Sequence, residues 1–331
     1  FKPSEGSTID YAFHYSSTGN IPRYDRLIEK RDGKLRFARW DYGPQRWMMQ
    51  QVNWKTTNPT KVYDQAKITA ASQYFEESRI DRRVGNATQF ERIEKVQASS
   101  LNADFIKNLF KSHFLNYGFE AVINQVDSRG QAINISNQQV TDASARYPNS
   151  SWTSWAVYAN YAAPLSPKLK MQSALRYNIN GINADFSNNF KFYPLPVLQF
   201  KDNYHSITGN LGLVYQVDPS FSISPQLATG FRAPNVDDMG KFFDSEPGSL
   251  LVPNPQLKPE YAYNAELNLN KELFGTLKVD VTGYYTWLDK AMVRRPTTFN
   301  GQSELLYDGE LSQLFSLQNA AFAEVKGIQA G

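Results

Sequence analysis

The 331-residue chain has no cysteine, 41% hydrophobic residues, 20% charged residues and a net charge of +3. That composition excludes disulfide scaffolds, thiolate metal sites and cysteine nucleophiles; its interspersed charges offer no basic face to nucleic acid, and no apolar run approaches the ~18 residues of a membrane-spanning helix. Its mean hydropathy is −0.52, yet it carries 19 Tyr, 21 Phe and 6 Trp.

Period-two alternation, the mark of a strand with one wet and one apolar face, recurs along the chain. It predicts strands beginning near Ile9 (with Tyr11, Phe13 and Tyr15), Met48, Ile68, Ile93, Leu115 and Trp155. The clearest case follows, where Leu169, Met171, Leu175, Tyr177 and Ile179 oppose Lys170, Gln172, Arg176 and Asn178. Tyr204 to Val217 repeats it, a further strand begins near Phe221, and Tyr261 to Leu269, Leu277 to Trp287 and a segment from Phe322 complete about twelve.

Connectors alternate in length. Ala162 to Lys168, Val217 to Ser220, Asn270 to Gly275 and the turn around Pro59 are short, while Ser17 to Gln45, Gln125 to Ser151, Gly181 to Asn203, Arg232 to Pro259 and Asp289 to Leu317 are long. In an up-and-down sheet this puts every long loop on one side, as in transmembrane β-barrels with short periplasmic turns and longer extracellular loops. A soluble all-β module that binds a protein or glycan through its loops is the rival. Long charged side chains such as Lys170, Arg176 and Lys278 suit a hydrated lumen better than a sandwich interior, and Tyr177, Tyr215, Phe231, Tyr261 and Trp287 toward strand ends suit an interfacial girdle. The predicted fold is an all-β, antiparallel, up-and-down transmembrane β-barrel.

Residues 229–260 sharpen this. Phe231, Arg232, Ala233 and Pro234, followed by Asn254, Pro255, Gln256, Leu257, Lys258, Pro259 and Glu260, resemble the barrel of TonB-dependent outer-membrane receptors. The stretches Arg23 to Leu27, Trp40 to Arg46, Tyr74 to Arg83 and Ile207 to Tyr215 resemble its haemoglobin, transferrin, lactoferrin or haem-receptor branch. The resemblance implies a 22-stranded barrel in the outer membrane of Gram-negative bacteria, closed by an N-terminal plug. It also implies import of an iron source, whether ferric siderophore, haem or protein-bound iron, driven by TonB through the plug. Residues 1–331 are then expected to be one partial barrel domain, about twelve strands, with the plug and the C-terminal strands outside the sequence.

The haem-binding type of receptor would carry a histidine between the two boxes, and none lies between Phe231 and Glu260. Tyr261 and Tyr263 read as lipid-facing strand. Of the three histidines, His14 shares the parity of Asp10, His113 lies at a turn and His205 shares the parity of Ile207; no pair has metal-ligand spacing. Asp237, Asp238 and Asp244 lack the spacing of a calcium loop. No serine stands in a nucleophile elbow, so no enzyme is expected; nor is any bound metal or resident cofactor. The ligand-binding candidates are Arg23, Tyr24, Trp40, Tyr42, Arg46 and Trp47, since arginine with aromatics in one long loop is the composition of binding hot spots. The alternative is that Trp40, Tyr42 and Trp47 anchor the upper membrane rim. The family-motif residues are Phe231, Arg232, Ala233, Pro234, Asn254, Pro255 and Leu257, and of these the resemblance implies that Arg232, Asn254 and Pro255 fold the loop rather than touch ligand.

Overall fold

The structure, a computed structural model, describes residues 1–331 except 32, 111, 194–197, 247 and 308, with backbone alone for 244–246. Twelve antiparallel strands follow one another in chain order: β1 (Ser7–Ser17), β2 (Arg46–Thr56), β3 (Gln65–Arg83), β4 (Thr88–Phe110), β5 (His113–Asn134), β6 (Asn149–Ser166), β7 (Leu169–Asp185), β8 (Gln199–Asp218), β9 (Phe221–Arg232), β10 (Glu260–Leu273), β11 (Leu277–Asp289) and β12 (Phe322–Ala330). All twelve predicted strands are present, and their meander order is that of an up-and-down wall.

The two faces divide as the alternation requires. Leu175, Tyr177, Ile207, Leu211, Leu227, Leu267 and Trp287 stand exposed on one face. The other face carries cross-strand polar networks: Arg176 bonds Glu120 at 2.9 Å, and Asn268 bonds Thr282 at 2.8 Å and Asp280 at 3.1 Å. Aromatic rings collect at two levels of the apolar face. Tyr63, Phe105 and Tyr117 stack in series near the short turns, and Tyr263 stacks on Trp287 near the long loops. From Tyr215 to His205 is ten residues of β8, about 33 Å of strand and about 25 Å of height at a tilt of about 40°, the height of a membrane-spanning apolar band.

Above that band the apolar face turns charged. Arg46, Glu76, Lys95 and Asp127 are directly opposed neighbours on β2 to β5, with Arg46–Glu76 at 4.0 Å and Lys95–Glu76 at 3.9 Å. The strands continue past this row, so the predicted Gln125 to Ser151 link is mostly strand: β5 runs to Asn134 and β6 starts at Asn149. Alternation could not reveal the extension, because beyond the membrane neither face needs to be apolar.

Gly118 shows how tightly the polar face is set. Tyr158 of β6 reaches across β5 to bond Asp104 of β4, and a Cβ on Gly118 would lie 2.5 Å from the Tyr158 Oη and 2.2 Å from the Ala103 carbonyl oxygen. Gly118→Val is therefore expected to cost about 1–3 kcal/mol by overpacking. Denaturant unfolding of the purified barrel in detergent checks it, with Gly212→Val as the control, since the nearest atoms there are 3.9 Å away.

Candidate functional site

The long loops have a core of their own, folded onto the polar face. Beyond β9 the chain caps a short helix, α1 (Val236–Gly240), with Asn235 and Asp238 in a reciprocal capping box. Val236, Met239 and Leu257 pack on Ile182 of β7 and Tyr204 of β8. Beside them Phe242, Leu250, Val252, Phe299, Tyr307 and Leu314 close around Ala184 and Phe186. A small sheet supports this second cluster, built on Glu310–Asn319 with Ser249–Leu251, Met292–Pro296 and Glu304–Tyr307 as neighbours.

The motif residues are used inside this unit. Arg232 bridges Asp238 at 2.5 Å and Glu260 at 3.5 Å, and Glu260 accepts the Met292 amide at 2.8 Å. Asn254 donates to the Leu317 carbonyl at 2.8 Å. Phe231 and Ala233 pack against the first cluster, where Leu257 is buried, and Pro234 is fully buried; Pro255 lies in the turn that Asn254 closes by accepting the Gln256 amide. Asp237 is taken up by Tyr147 at 2.6 Å and Lys241 at 3.0 Å, so it and Asp238 serve separate partners; the Asp244 side chain lies outside the described residues. Among the described residues no group of three His, Asp or Glu is placed to hold a metal.

Two buried ion clusters hold the loops to the wall. Glu310 receives Arg31, Arg36 and Arg83, with Arg36 Nη2 at 2.8 Å, tying the first long loop to the last. Burial would push the Glu310 carboxyl up, but the guanidiniums of Arg83 and Arg36 outweigh it and hold the group below the usual carboxylate range. The second cluster lies under a strap, residues 143–148, that crosses the polar face over Gly130, where a Cβ would meet the Ser144 carbonyl at 2.2 Å. Arg146 on the strap is 1% exposed and lies 3.2 Å from both Glu94 and Glu77. Here burial wins: the Glu94 carboxyl is raised despite Arg146, and burial also raises the Tyr147 hydroxyl. A cavity of about 450 Å³ opens beside this cluster, walled by Phe75, Glu77, Tyr147, Trp152, Val236 and Asp237.

Of the six ligand-binding candidates, the fold assembles three. Trp40 and Tyr42 oppose Asp81 and Arg79, on the polar face of β3 rather than at the membrane rim. Arg23 lies over both rings, at 5.1 and 5.0 Å from their centroids, and donates to the Tyr42 hydroxyl at 2.5 Å. Arg79 covers Tyr42 at 5.1 Å and Phe243 at 5.5 Å, making an alternating cation–aromatic stack. Desolvation, and after it the charge of Arg146, lowers the Arg79 guanidinium from its ordinary value. Tyr24 is exposed beside the stack. Trp47 is apart from it, its ring 4.4 Å from His14 on the polar face, and Arg46 belongs to the charged row above the apolar band. Arg79 itself was not singled out by sequence reading, since an arginine within an alternating strand looks like any solvated polar residue.

The family model for TonB dependent receptor-like β-barrels matches residues 2–331. A vitamin B12 transporter, BtuB of Vibrio vulnificus (strain CMCP6), is 34% identical over 92 residues, 28% of this chain and 13% of that protein. Among solved structures, the copper transporter OprC superposes with a TM-score of 0.71 at 12% identity, over 99% of this chain and 47% of its own. The siderophore receptor PirA from Acinetobacter baumannii gives 0.64 at 13% identity, over 100% of this chain and 48% of its own. At such identities the structural likeness speaks for the fold. The chain spans about half the length of those solved structures.

Proposed function

We infer, from the premise that this chain belongs to the TonB-dependent receptor-like β-barrel family, that it forms part of the wall and extracellular mouth of an importer for an iron source. The family's members are outer-membrane β-barrels, which sets the apolar face of β1 to β12 in lipid and the polar face toward the lumen. On this reading residues 1–331 are a partial barrel, and a plug domain outside this sequence couples capture to TonB. Transport of this kind makes and breaks no covalent bond, so the mouth needs binding groups rather than an acid, base or nucleophile.

The observation that carries the iron reading is the Arg23–Trp40–Tyr42–Arg79 stack. It sets two guanidiniums against aromatic faces in a fixed geometry, Arg23 sharing its charge with Asp25 at 2.7 Å and Arg79 with Glu77 at 3.5 Å, which suits the ring of haem or an aromatic ferric chelate whose anionic group displaces Asp25. Trp40 is buried and orders the stack, leaving Arg23 and Tyr24 to meet ligand. With no histidine between Phe231 and Glu260, capture rests on charge and stacking rather than on axial ligation from that loop. Titrating the full-length protein with ferric siderophores, haem and haemoglobin, and reading tryptophan fluorescence, is expected to show saturable quenching by one of them. Arg23→Ala is expected to weaken that binding about tenfold, the scale of a hot-spot truncation of about 1.4 kcal/mol. Saturable binding to none of these iron sources would overturn the iron reading and leave the barrel assignment intact.

A further inference from the structure

The seam between β8 and β9 is irregular well inside the wall, where the shifts of β4–β5 and β6–β7 fall at the turns. β8 pairs with β7 from Leu169–Tyr215 up to Asp185–Gln199, and β9 pairs with β10 along its whole length. Between β8 and β9 the register ends at Asn210–Ala228, and lower down it skips the positions around Pro225, which has no amide to donate. Above Asn210 the ladder is replaced by a side chain: the Thr229 hydroxyl accepts the Gly209 amide at 2.9 Å and lies 3.3 Å from the Gly209 carbonyl. Higher still, Tyr261 reaches over from β10 to the His205 carbonyl at 3.4 Å.

Over this seam the apolar face is hollow. A cavity of about 740 Å³ lies against Gly209, Thr229, Ala265 and the flanking Ile207, Leu227 and Trp287. A second, of about 640 Å³, continues it toward the short turns past Leu213, Leu267 and Gly283, and the two share Leu211, Leu227, Ala265 and Tyr285. Gly283 has no atom within 4 Å of where its Cβ would be. Small residues on adjacent strands thus leave a furrow within the membrane band, its upper end closed by the stacked Tyr263 and Trp287.

We propose that this furrow is a binding site for one acyl chain of a phospholipid from the periplasmic-side leaflet. The furrow is closed above by aromatic rings and runs down toward the short turns, so the chain enters from below. At that lower rim Lys271, on the same face as Leu267 and Leu269, stands beside Ser220 at 2.7 Å and Asp218 at 3.5 Å, and exposed Lys168 lies at the neighbouring turn. Lys168 donates to the Val217 carbonyl at 2.9 Å, so both ammonium groups are held at the level of the short turns, the headgroup height of the periplasmic-side leaflet, where a phosphate can share them. An empty furrow of this size would forfeit dispersion contacts along its whole length, and in hydrocarbon solvent it is filled by whatever chain packs best. The site is independent of the cargo at the mouth.

The test uses Trp287 as reporter and Trp155 as control, since Trp155 is half exposed on the same face, away from the furrow. Full-length protein carrying only one of these tryptophans is placed in phosphatidylcholine nanodiscs with rising fractions of acyl-brominated phosphatidylcholine. Trp287 is expected to reach half-maximal quenching at about three-fold lower mole fraction than Trp155, which corresponds to about 0.7 kcal/mol of preferential packing. Gly283→Leu, whose Cβ would meet no atom within 4 Å, is expected to bring the two curves together by filling the furrow; Ala265→Leu fills it from the neighbouring strand should Gly283→Leu not assemble. Superimposable curves in the unsubstituted protein overturn the proposal, as does selective quenching that appears only when the brominated chains are on lipopolysaccharide.

Discussion

Replacing Glu310 by alanine is expected to release the first long loop from the last. Its carboxylate is the common partner of Arg31, Arg36 and Arg83, and the Arg36 side chain is 3% exposed. Removing one member of a buried ion cluster leaves the others uncompensated and costs about 3–5 kcal/mol, well above the ~0–1 kcal/mol of an exposed pair. Arg36 keeps Glu29 at 2.8 Å, which limits the loss but does not replace three partners. Hydrogen exchange should show residues 18–45 and 290–321 losing protection together while β3 to β8 keep theirs. Because the folded carboxyl is depressed, its contribution is complete above the ordinary glutamate range of about 4.3 and fades as pH falls through the depressed value. An unfastened loop pair at neutral pH in the unsubstituted protein would contradict this account.

Arg146→Met is expected to cost a similar ~3–5 kcal/mol at pH 8, with the opposite dependence on pH. Glu94 lies level with Lys95, above the apolar band, and its carboxyl is already raised by burial with Arg146 in place. A raised carboxyl favours the folded state at low pH, and that contribution is lost as pH rises through the raised value. Without Arg146 the carboxylate keeps, among the described residues, the Ser128 hydroxyl at 3.4 Å and the weaker pull of the Arg79 charge, so it takes up a proton more readily. The variant's strap should therefore exchange fast at pH 8 and recover part of its protection at pH 5. Equal protection factors at both pH values, taken relative to the intrinsic base-catalysed rate, would show that Glu94 does not carry the effect.

What the sequence made legible follows from which solvent each residue meets. Lipid on one side and water on the other enforce period two, so all twelve strands could be read, down to the face on which His14 and His205 lie. Above the membrane that constraint disappears, and the upper part of β5, with polar residues on both faces such as Ser128 on one and Arg129 on the other, looked like loop. The loop core was illegible for a related reason. Phe242 and Leu250 belong to short segments whose burial depends on partners scores of residues away, and the strand Glu310–Asn319 buries Glu310, Ser312, Leu314 and Ser316, a face of mostly polar letters that alternation reads as wet. A buried Arg146 or Glu310 has the same letter as an exposed one, and only the fold separates them. Arg23, Trp40 and Tyr42 were found because composition alone concentrates them; Arg79 completes the stack from a strand where nothing marks it.

The seam between β8 and β9 also sets the mechanics of the wall. β4 and β5 are joined at 22 paired positions, β8 and β9 at six. A shell resists in-plane shear through its rungs, and its compliance gathers where rungs are fewest. Lateral pressure from the bilayer will therefore strain this wall unevenly: the strands up to β8 and those from β9 move as two stiff plates, and the line through Gly209 and Thr229 takes up the angle between them.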